Sequence, residues 1–103
     1  MNTNLVPLSV LKNKIKSLGL DKYVYKVDYA NDGKKKYYVI LNDNHNKKIK
    51  FGAINYEDTL LREYKKEDKN IIEKRRQNYI QRHKNDNIND KNKPGFWSYW
   101  VLW

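Results

Sequence analysis

Residues 75–83, RRQNYIQRH, contain side chains suited to holding nucleic acid. If the segment is helical, Arg75, Asn78 and Arg82 share one stripe of its surface. Arginine and asparagine hydrogen-bond both to base edges and to phosphate oxygens. An equally weighted alternative is that a neighbouring stripe packs inward and anchors aromatic residues by cation–π contact. The members of that second stripe are Arg76, Tyr79 and His83.

Lysine clusters provide a second possibility for binding. Each phosphate that a cation neutralises releases condensed counterions, so such clusters attract polyanions regardless of sequence, and the affinity falls with salt. Lysine suits phosphate contact, whereas the planar arginine fork is the better reader of base edges. We therefore predict that eight cations contact phosphates. They are Lys34, Lys35, Lys36, Lys47, Lys48, Arg75, Arg76 and Arg82.

The charge balance favours a polyanionic partner. The 103 residues include 22 Lys+Arg and 12 Asp+Glu, which gives a formal net charge of +10 at pH 7. A small domain needs a net charge of only about 2 to 8 to remain soluble. The excess favours nucleic acid over the alternative that the lysines merely solvate the surface. As the partner we expect DNA rather than RNA.

Tyrosines alternate with lysines in the β-like segments. Aromatic rings on a sheet face can stack unpaired bases between cations. Packing beneath a helix is the more common role of such rings, and the sequence has no RNP-like motif. The tyrosines concerned are Tyr23, Tyr25, Tyr29, Tyr37 and Tyr38.

Patterns typical of catalysis are missing from the sequence. There is no Ser/His/Asp order, no paired-histidine metal spacing and no Gly-rich phosphate loop. The absence of cysteine excludes disulfides, thiolate chemistry and Cys-ligated metals. Glu57 and Asp58 stand where a helix begins, and carboxylates there usually favour the helix dipole. We expect a non-enzymatic protein with no cofactor and no metal.

The first half of the chain predicts a helix followed by a sheet. Apolar spacing predicts an amphipathic helix over residues 8–18, with Gly19 at its end. Alternating tyrosine and valine, the turn signal Asn-Asp-Gly at 31–33 and two further β-like runs predict a three-stranded antiparallel meander over residues 22–53.

The second half predicts helices and a polar loop. Asn55 or Asp58 could begin a short helix, and Asp68 is a suitable N-cap for a longer helix that runs to about Lys84. Residues 84–94 contain almost no apolar side chains and are typical of a solvated loop.

The chain ends in GFWSYWVLW, a segment with five aromatic and no charged residues. An aromatic surface of this size has to be covered by the sheet or by another molecule. We predict a packing or partner surface there, formed by Phe96, Trp97, Trp100 and Trp103.

Four short patterns occur in order between Lys36 and Trp103. They are Phe51, Gly52 and Ala53; Tyr56, Asp58 and Thr59; Arg75, Arg76, Tyr79, Arg82 and His83; and Gly95, Phe96, Trp97, Ser98, Trp100, Leu102 and Trp103. In these patterns the chain resembles an uncharacterised family of small basic proteins from giant (nucleocytoplasmic large) DNA viruses. The resemblance implies a viral origin and no particular activity.

Together these features predict an α+β fold: a three-stranded antiparallel meander packed with two to three short helices and a Trp-rich C-terminal segment. We expect one domain over residues 21–103; the helix of residues 1–20 is either loosely attached to this domain or part of its fold. A chain of this length buries only about two thirds of its unfolded surface, which favours association with a partner.

The leading hypothesis is a viral nucleic-acid-binding protein that contacts phosphates and acts in genome packaging or the virion. The alternative is a structural module, a minor virion component or homo-oligomer, that uses the Trp-rich end and a sheet edge to hold a viral protein or a second copy. No apolar run is long enough to span a membrane, and no signal-peptide pattern is present. We expect the protein in the host cytoplasm, viral factory or nucleus, or inside the virion.

Overall fold

A computed structural model describes residues 4–43, 45–84 and 88–103. The protein has an α+β fold in which short helices pack with one three-stranded antiparallel sheet, as predicted. The elements are α1 (Leu8–Ser17), a 3₁₀ turn (Asp21–Tyr23), β1 (Val24–Tyr29), β2 (Lys35–Leu41), β3 (Lys48–Ala53), α2 (Thr59–Tyr64), α3 (Lys69–His83), α4 (Pro94–Trp97) and a π-helical turn (Ser98–Leu102).

The sheet is the predicted meander, in the order β1-β2-β3. The β1–β2 turn forms where Asn31 and Gly33 adopt positive φ angles of 55° and 74°. Asp32 closes it by accepting hydrogen bonds from the amides of Lys34 (2.9 Å) and Lys35 (2.8 Å). These hydrogen bonds hold the pKa of the Asp32 carboxyl well below its ordinary value.

The inner face of the sheet holds the core. Tyr37, in the central strand β2, pairs with Tyr29 in β1 and with Phe51 in β3. Its ring lies 6.0 Å from that of Tyr29 and 5.8 Å from that of Phe51, and Phe51 in turn contacts Trp97 at 6.2 Å. A row of aromatic rings therefore crosses the sheet and reaches the C-terminal segment.

The N-terminal segment packs into this core in the residues that the structure describes. Leu11 and Ile15 of α1 are buried, as is Val6. The Val6 amide donates to the Tyr37 hydroxyl (2.9 Å), and the Tyr29 hydroxyl donates to the Val6 carbonyl (2.9 Å). Apolar contact and hydrogen bonds to two strands therefore fix the described part of this segment.

The two predicted helix starts in the second half are confirmed. Asp58 caps α2, since its side chain accepts a hydrogen bond from the Leu61 amide (2.9 Å). Asp68 caps α3 by accepting from the amides of Asn70 (2.7 Å) and Ile71 (3.4 Å). Both helices therefore begin where a short acidic side chain satisfies free backbone amides.

Part of the predicted loop of residues 84–94 lies outside the described residues, namely 85–87. The remainder supports two indoles. The Trp97 indole nitrogen donates to the Lys91 carbonyl (2.9 Å), and that of Trp100 donates to the Ile88 carbonyl (2.8 Å). The polar segment thus supplies the acceptors that the tryptophan rings need.

The C-terminal aromatic segment folds onto the domain. Trp97 is fully buried and Phe96 nearly so, while Trp103 is half-buried. Trp100 keeps 42% of its surface exposed. The predicted packing role is therefore met within the chain by three of the four aromatic residues.

Candidate nucleic-acid interface

Lys36 is not a surface cation, so its prediction as a phosphate contact is wrong. Its side chain is 1% exposed, and its Nζ atom donates to Oδ2 of the equally buried Asp58 at 2.7 Å. Burial raises the pKa of Asp58, although the Lys36 ammonium and the Leu61 amide act in the opposite direction. This pair ties β2 to the start of α2, so the Lys36 ammonium is not available to a ligand.

Arg76 also binds groups of the protein itself and is not available to a ligand. Its Nε donates to the Trp103 carbonyl at 2.7 Å, and its terminal nitrogens pair with Glu63 (2.8 Å) and Glu73 (3.1 Å). The alternative interpretation of its stripe, anchoring of the C-terminal aromatics, therefore describes Arg76 better. The anchoring contact is a hydrogen bond to a backbone carbonyl.

The other two predicted arginines reach a cleft between the sheet and α3. Its larger part has a volume of about 420 Å³ and is bordered by Lys35, Tyr56 and Arg82. A smaller concavity of about 150 Å³ continues from it, shares Tyr56 and Arg82, and adds Arg75 and Asn78. The two parts together are called the basic cleft below. It unites three predicted phosphate contacts from β2 and α3.

The cations of the basic cleft have no carboxylate partners among the residues that the structure describes: Lys35, Arg75 and Arg82 form no ion pair there. Two carboxylates border the cleft, but each has its own cation. Asp58 pairs with Lys36, and Glu57 pairs with Arg62 at 2.8 Å. The cleft therefore has an excess of positive charge available to an anion.

Aromatic rings form the wall of the larger concavity. The Tyr79 ring stacks on Trp103 at 4.5 Å with a 4° interplanar angle, and on His83 at 4.2 Å. Because two rings cannot occupy the same face of Tyr79, the three form one column. All three border the cleft beside Arg82.

Tyr56 stands at the mouth of the basic cleft. It lies in the turn after β3, where its amide donates to the Ala53 carbonyl at 3.1 Å. Its side chain is 65% exposed and borders both concavities. The sequence analysis did not select Tyr56 as a site residue. Its position in a short polar turn, which leaves a large ring without a core to enter, is the signal that could have identified it.

The remaining predicted cations lie elsewhere on the surface. Lys34 is exposed in the β1–β2 turn, next to Lys35. Lys47 and Lys48 are exposed at the start of β3, and the Lys48 ammonium lies 4.2 Å above the Tyr38 ring. None of these three borders the basic cleft.

The tyrosines of the sheet divide between packing and surface. Tyr37 and Tyr29 belong to the inner face, so the packing alternative holds for them. Tyr38 lies on the outer face beneath Lys48, and Tyr23 is half-buried with Lys91 above its ring at 4.2 Å. Tyr25 is 73% exposed.

Residues of the four short sequence patterns between Lys36 and Trp103 surround the basic cleft. Its larger part is bordered by members of all four sequence patterns. They include Gly52, Ala53, Tyr56, Asp58, Tyr79, Arg82, His83, Ser98, Leu102 and Trp103.

Comparison with protein-family models, curated proteins and solved structures finds no match to this chain. Within residues 4–43, 45–84 and 88–103, no helix has the length and apolar character needed to cross a membrane. Across the same described residues, no three acidic or histidine side chains gather in a way that could hold a metal ion.

Proposed function

We propose that the protein is a non-enzymatic nucleic-acid-binding protein that contacts phosphates through lysine and arginine. The observation that supports this most directly is the set of cations in the basic cleft, Lys35, Arg75 and Arg82, which lack carboxylate partners among the described residues. An unpaired arginine presents a fork of donors that fits two phosphate oxygens at once. We further propose that this binding serves genome packaging or a role in the virion.

The distribution of charge explains why a phosphate polymer suits this surface better than a single small anion. Exposed lysines also lie outside the cleft, at Lys34 in the β1–β2 turn and at Lys47 and Lys48 at the start of β3. A polyanion can contact several of these positions at once, and each contact adds counterion release. The same side chains read no base sequence, so the binding is expected to be sequence-independent.

The test is a salt series with a fluorescent single strand and a fluorescent duplex, measured by anisotropy. The logarithm of affinity should fall linearly with the logarithm of salt concentration. The double variant Arg75→Gln/Arg82→Gln should bind more weakly and show a shallower slope. The slope should decrease by about 1.4 for a single strand, since each lost phosphate contact contributes about 0.7.

A matched control is Lys12→Gln/Lys16→Gln, which removes the same charge from exposed positions on α1 that do not border the cleft. This control should retain more affinity than the arginine variant. Equal losses in the two variants would show that net charge alone matters and would remove the cleft from the proposal. Affinity that does not change with salt would overturn nucleic-acid binding itself.

The alternative, a structural module, makes a different prediction in the same experiment. With Phe96, Trp97 and Trp103 packed within the chain, Trp100 is the aromatic residue of that group left exposed for a partner. A mass above that of one chain by light scattering, together with no binding to either probe, would favour this alternative.

A further inference from the structure

We infer that the basic cleft binds single-stranded nucleic acid, with an unpaired base stacked on Tyr56 and the adjoining phosphates held by Lys35, Arg75 and Arg82. This inference rests on the proposed function and narrows its ligand. It depends on an exposed ring and unpaired cations meeting in one concavity.

The first step concerns the shape of the ligand. In a duplex, each base has both faces covered by its neighbours, so a protein ring cannot stack on it without unstacking the helix. An unpaired base has a free face, and stacking on an aromatic side chain tolerates any base. Tyr56, with 65% of its surface exposed, offers such a ring.

The second step concerns the position of the cations relative to the Tyr56 ring. Tyr56 and Arg82 border both concavities. Lys35 borders the larger one, and Arg75 borders the smaller one. A base on Tyr56 would therefore have cations available for the phosphates on its two sides. The larger concavity of about 420 Å³ lies within the range of roughly 300 to 1,000 Å³ common for small-molecule sites. It has room for a nucleotide unit.

The third step compares Tyr56 with the other tyrosines on the surface of the sheet. The Tyr38 ring is half-buried, and the Lys48 ammonium already lies 4.2 Å above it. Tyr25 is more exposed than Tyr56 but borders neither part of the basic cleft. It borders a separate concavity with three lysines, whose positive charge is offset in part by the carboxylates of Asp21 and Asp28. Tyr25 is therefore the natural control for the contribution of an exposed tyrosine elsewhere.

The experiment compares two probes of equal length and phosphate number, a fluorescent oligothymidine and its abasic counterpart. The wild-type protein should bind oligothymidine about tenfold more tightly, which is the effect of one stacked base. Tyr56→Ala should reduce affinity for oligothymidine to the abasic level and leave affinity for the abasic probe unchanged. Tyr56→Phe, which keeps the ring, should bind like the wild type.

The control variant Tyr25→Ala should bind both probes normally. If Tyr25→Ala rather than Tyr56→Ala removes the preference for oligothymidine, stacking occurs on the sheet and the inference is wrong. If the wild type binds the two probes equally, bases contribute nothing: the inference fails while phosphate binding stands. If neither probe binds, the proposed function fails as well. Because both tyrosines are largely exposed, their variants should unfold at the wild-type urea midpoint.

Discussion

The buried ion pair between Lys36 and Asp58 allows a quantitative prediction for Lys36→Met. The two charged atoms lie 2.7 Å apart, and the side chains are 1% and 3% exposed. Methionine fills a similar volume but leaves the Asp58 carboxylate without its cation in a site that excludes water. Removing one partner of such a pair typically costs about 3 to 5 kcal/mol, against a total stability of about 5 to 15 kcal/mol for a small domain. We expect a loss in that range.

Asp58→Asn and the double variant make the prediction specific to the pair. Asparagine keeps an oxygen for the Leu61 amide, so the cap of α2 is retained while the charge is lost. The double variant Lys36→Met/Asp58→Asn contains neither charge, so it should be more stable than Lys36→Met alone. The sum of the two single losses should therefore exceed the loss in the double variant.

The pH dependence of Lys36→Met follows from the same carboxyl group. Burial raises the pKa of Asp58 above its ordinary value of 3.8, and removing the ammonium raises it further. Between 3.8 and the raised pKa, the folded state binds more protons than the unfolded state. The stability of Lys36→Met relative to wild type should therefore improve as the pH falls through that window.

Urea unfolding of the four proteins at about pH 7 and about pH 5 measures these differences, with equal m-values as the check on a two-state comparison. A loss below about 1 kcal/mol in Lys36→Met would show that the carboxylate is hydrated or relaxes easily, and would refute the reasoning. Strict additivity in the double variant would do the same.

Two further changes test the packing around the sheet. Gly52→Ala should destabilise more than Gly33→Ala: both residues have positive φ (81° and 74°), but only at Gly52 would the new Cβ meet a neighbour, Leu102 Cδ1 at 2.7 Å. The difference between their urea-unfolding free energies should be about 1 to 3 kcal/mol. Tyr37→Phe should cost about 1 to 3 kcal/mol, because the buried Val6 amide loses its acceptor. Burial raises the pKa of Tyr37 above 10.0, so the unfolded state loses the hydroxyl proton at a lower pH than the folded state does. The wild type should therefore lose stability as the pH rises past 10.0. Urea unfolding below and above this pH should show a smaller loss in Tyr37→Phe, which has no hydroxyl proton to lose.

The parts of the fold that local sequence signals specify were predicted correctly. The turn around Asp32 and the caps Asp58 and Asp68 each depend on a hydrogen bond within three residues of the acidic side chain. Such contacts form whatever the rest of the chain does, so residue type and spacing reveal them. The meander followed from alternation and from the same turn.

Lys36 shows where alternation misleads. Strand periodicity places it on the same face as Tyr38, and a lysine on that face is normally solvated. Here the start of α2 and the C-terminal segment cover this end of the face, because Gly52, opposite Lys36, admits Leu102 closely. The burial of Lys36 depends on elements that are distant in sequence, so no local sequence pattern predicts it.

The candidate site was only partly predictable for the same reason. Arg75 and Arg82 lie seven residues apart, which is about two turns of helix, and their stripe follows from α3 alone. Lys35 and Tyr56 join them only because the C-terminal segment, held by Arg76 and the ring of Tyr79, fixes α3 beside the end of the sheet. The basic cleft is therefore a tertiary feature, and its stacking ring could not be selected from spacing.

The four arginines illustrate how the chain separates structural charge from binding charge. Arg62 and Arg76 are partly or largely buried and bind carboxylates that hold the helices, whereas Arg75 and Arg82 are exposed and border the cleft. Salt screens exposed charges strongly and buried ones weakly. Raising the salt concentration should therefore release a bound polyanion well before it weakens the Lys36–Asp58 pair. A salt titration of binding then reports on the cleft of a folded protein, which is the condition under which its slope counts phosphate contacts.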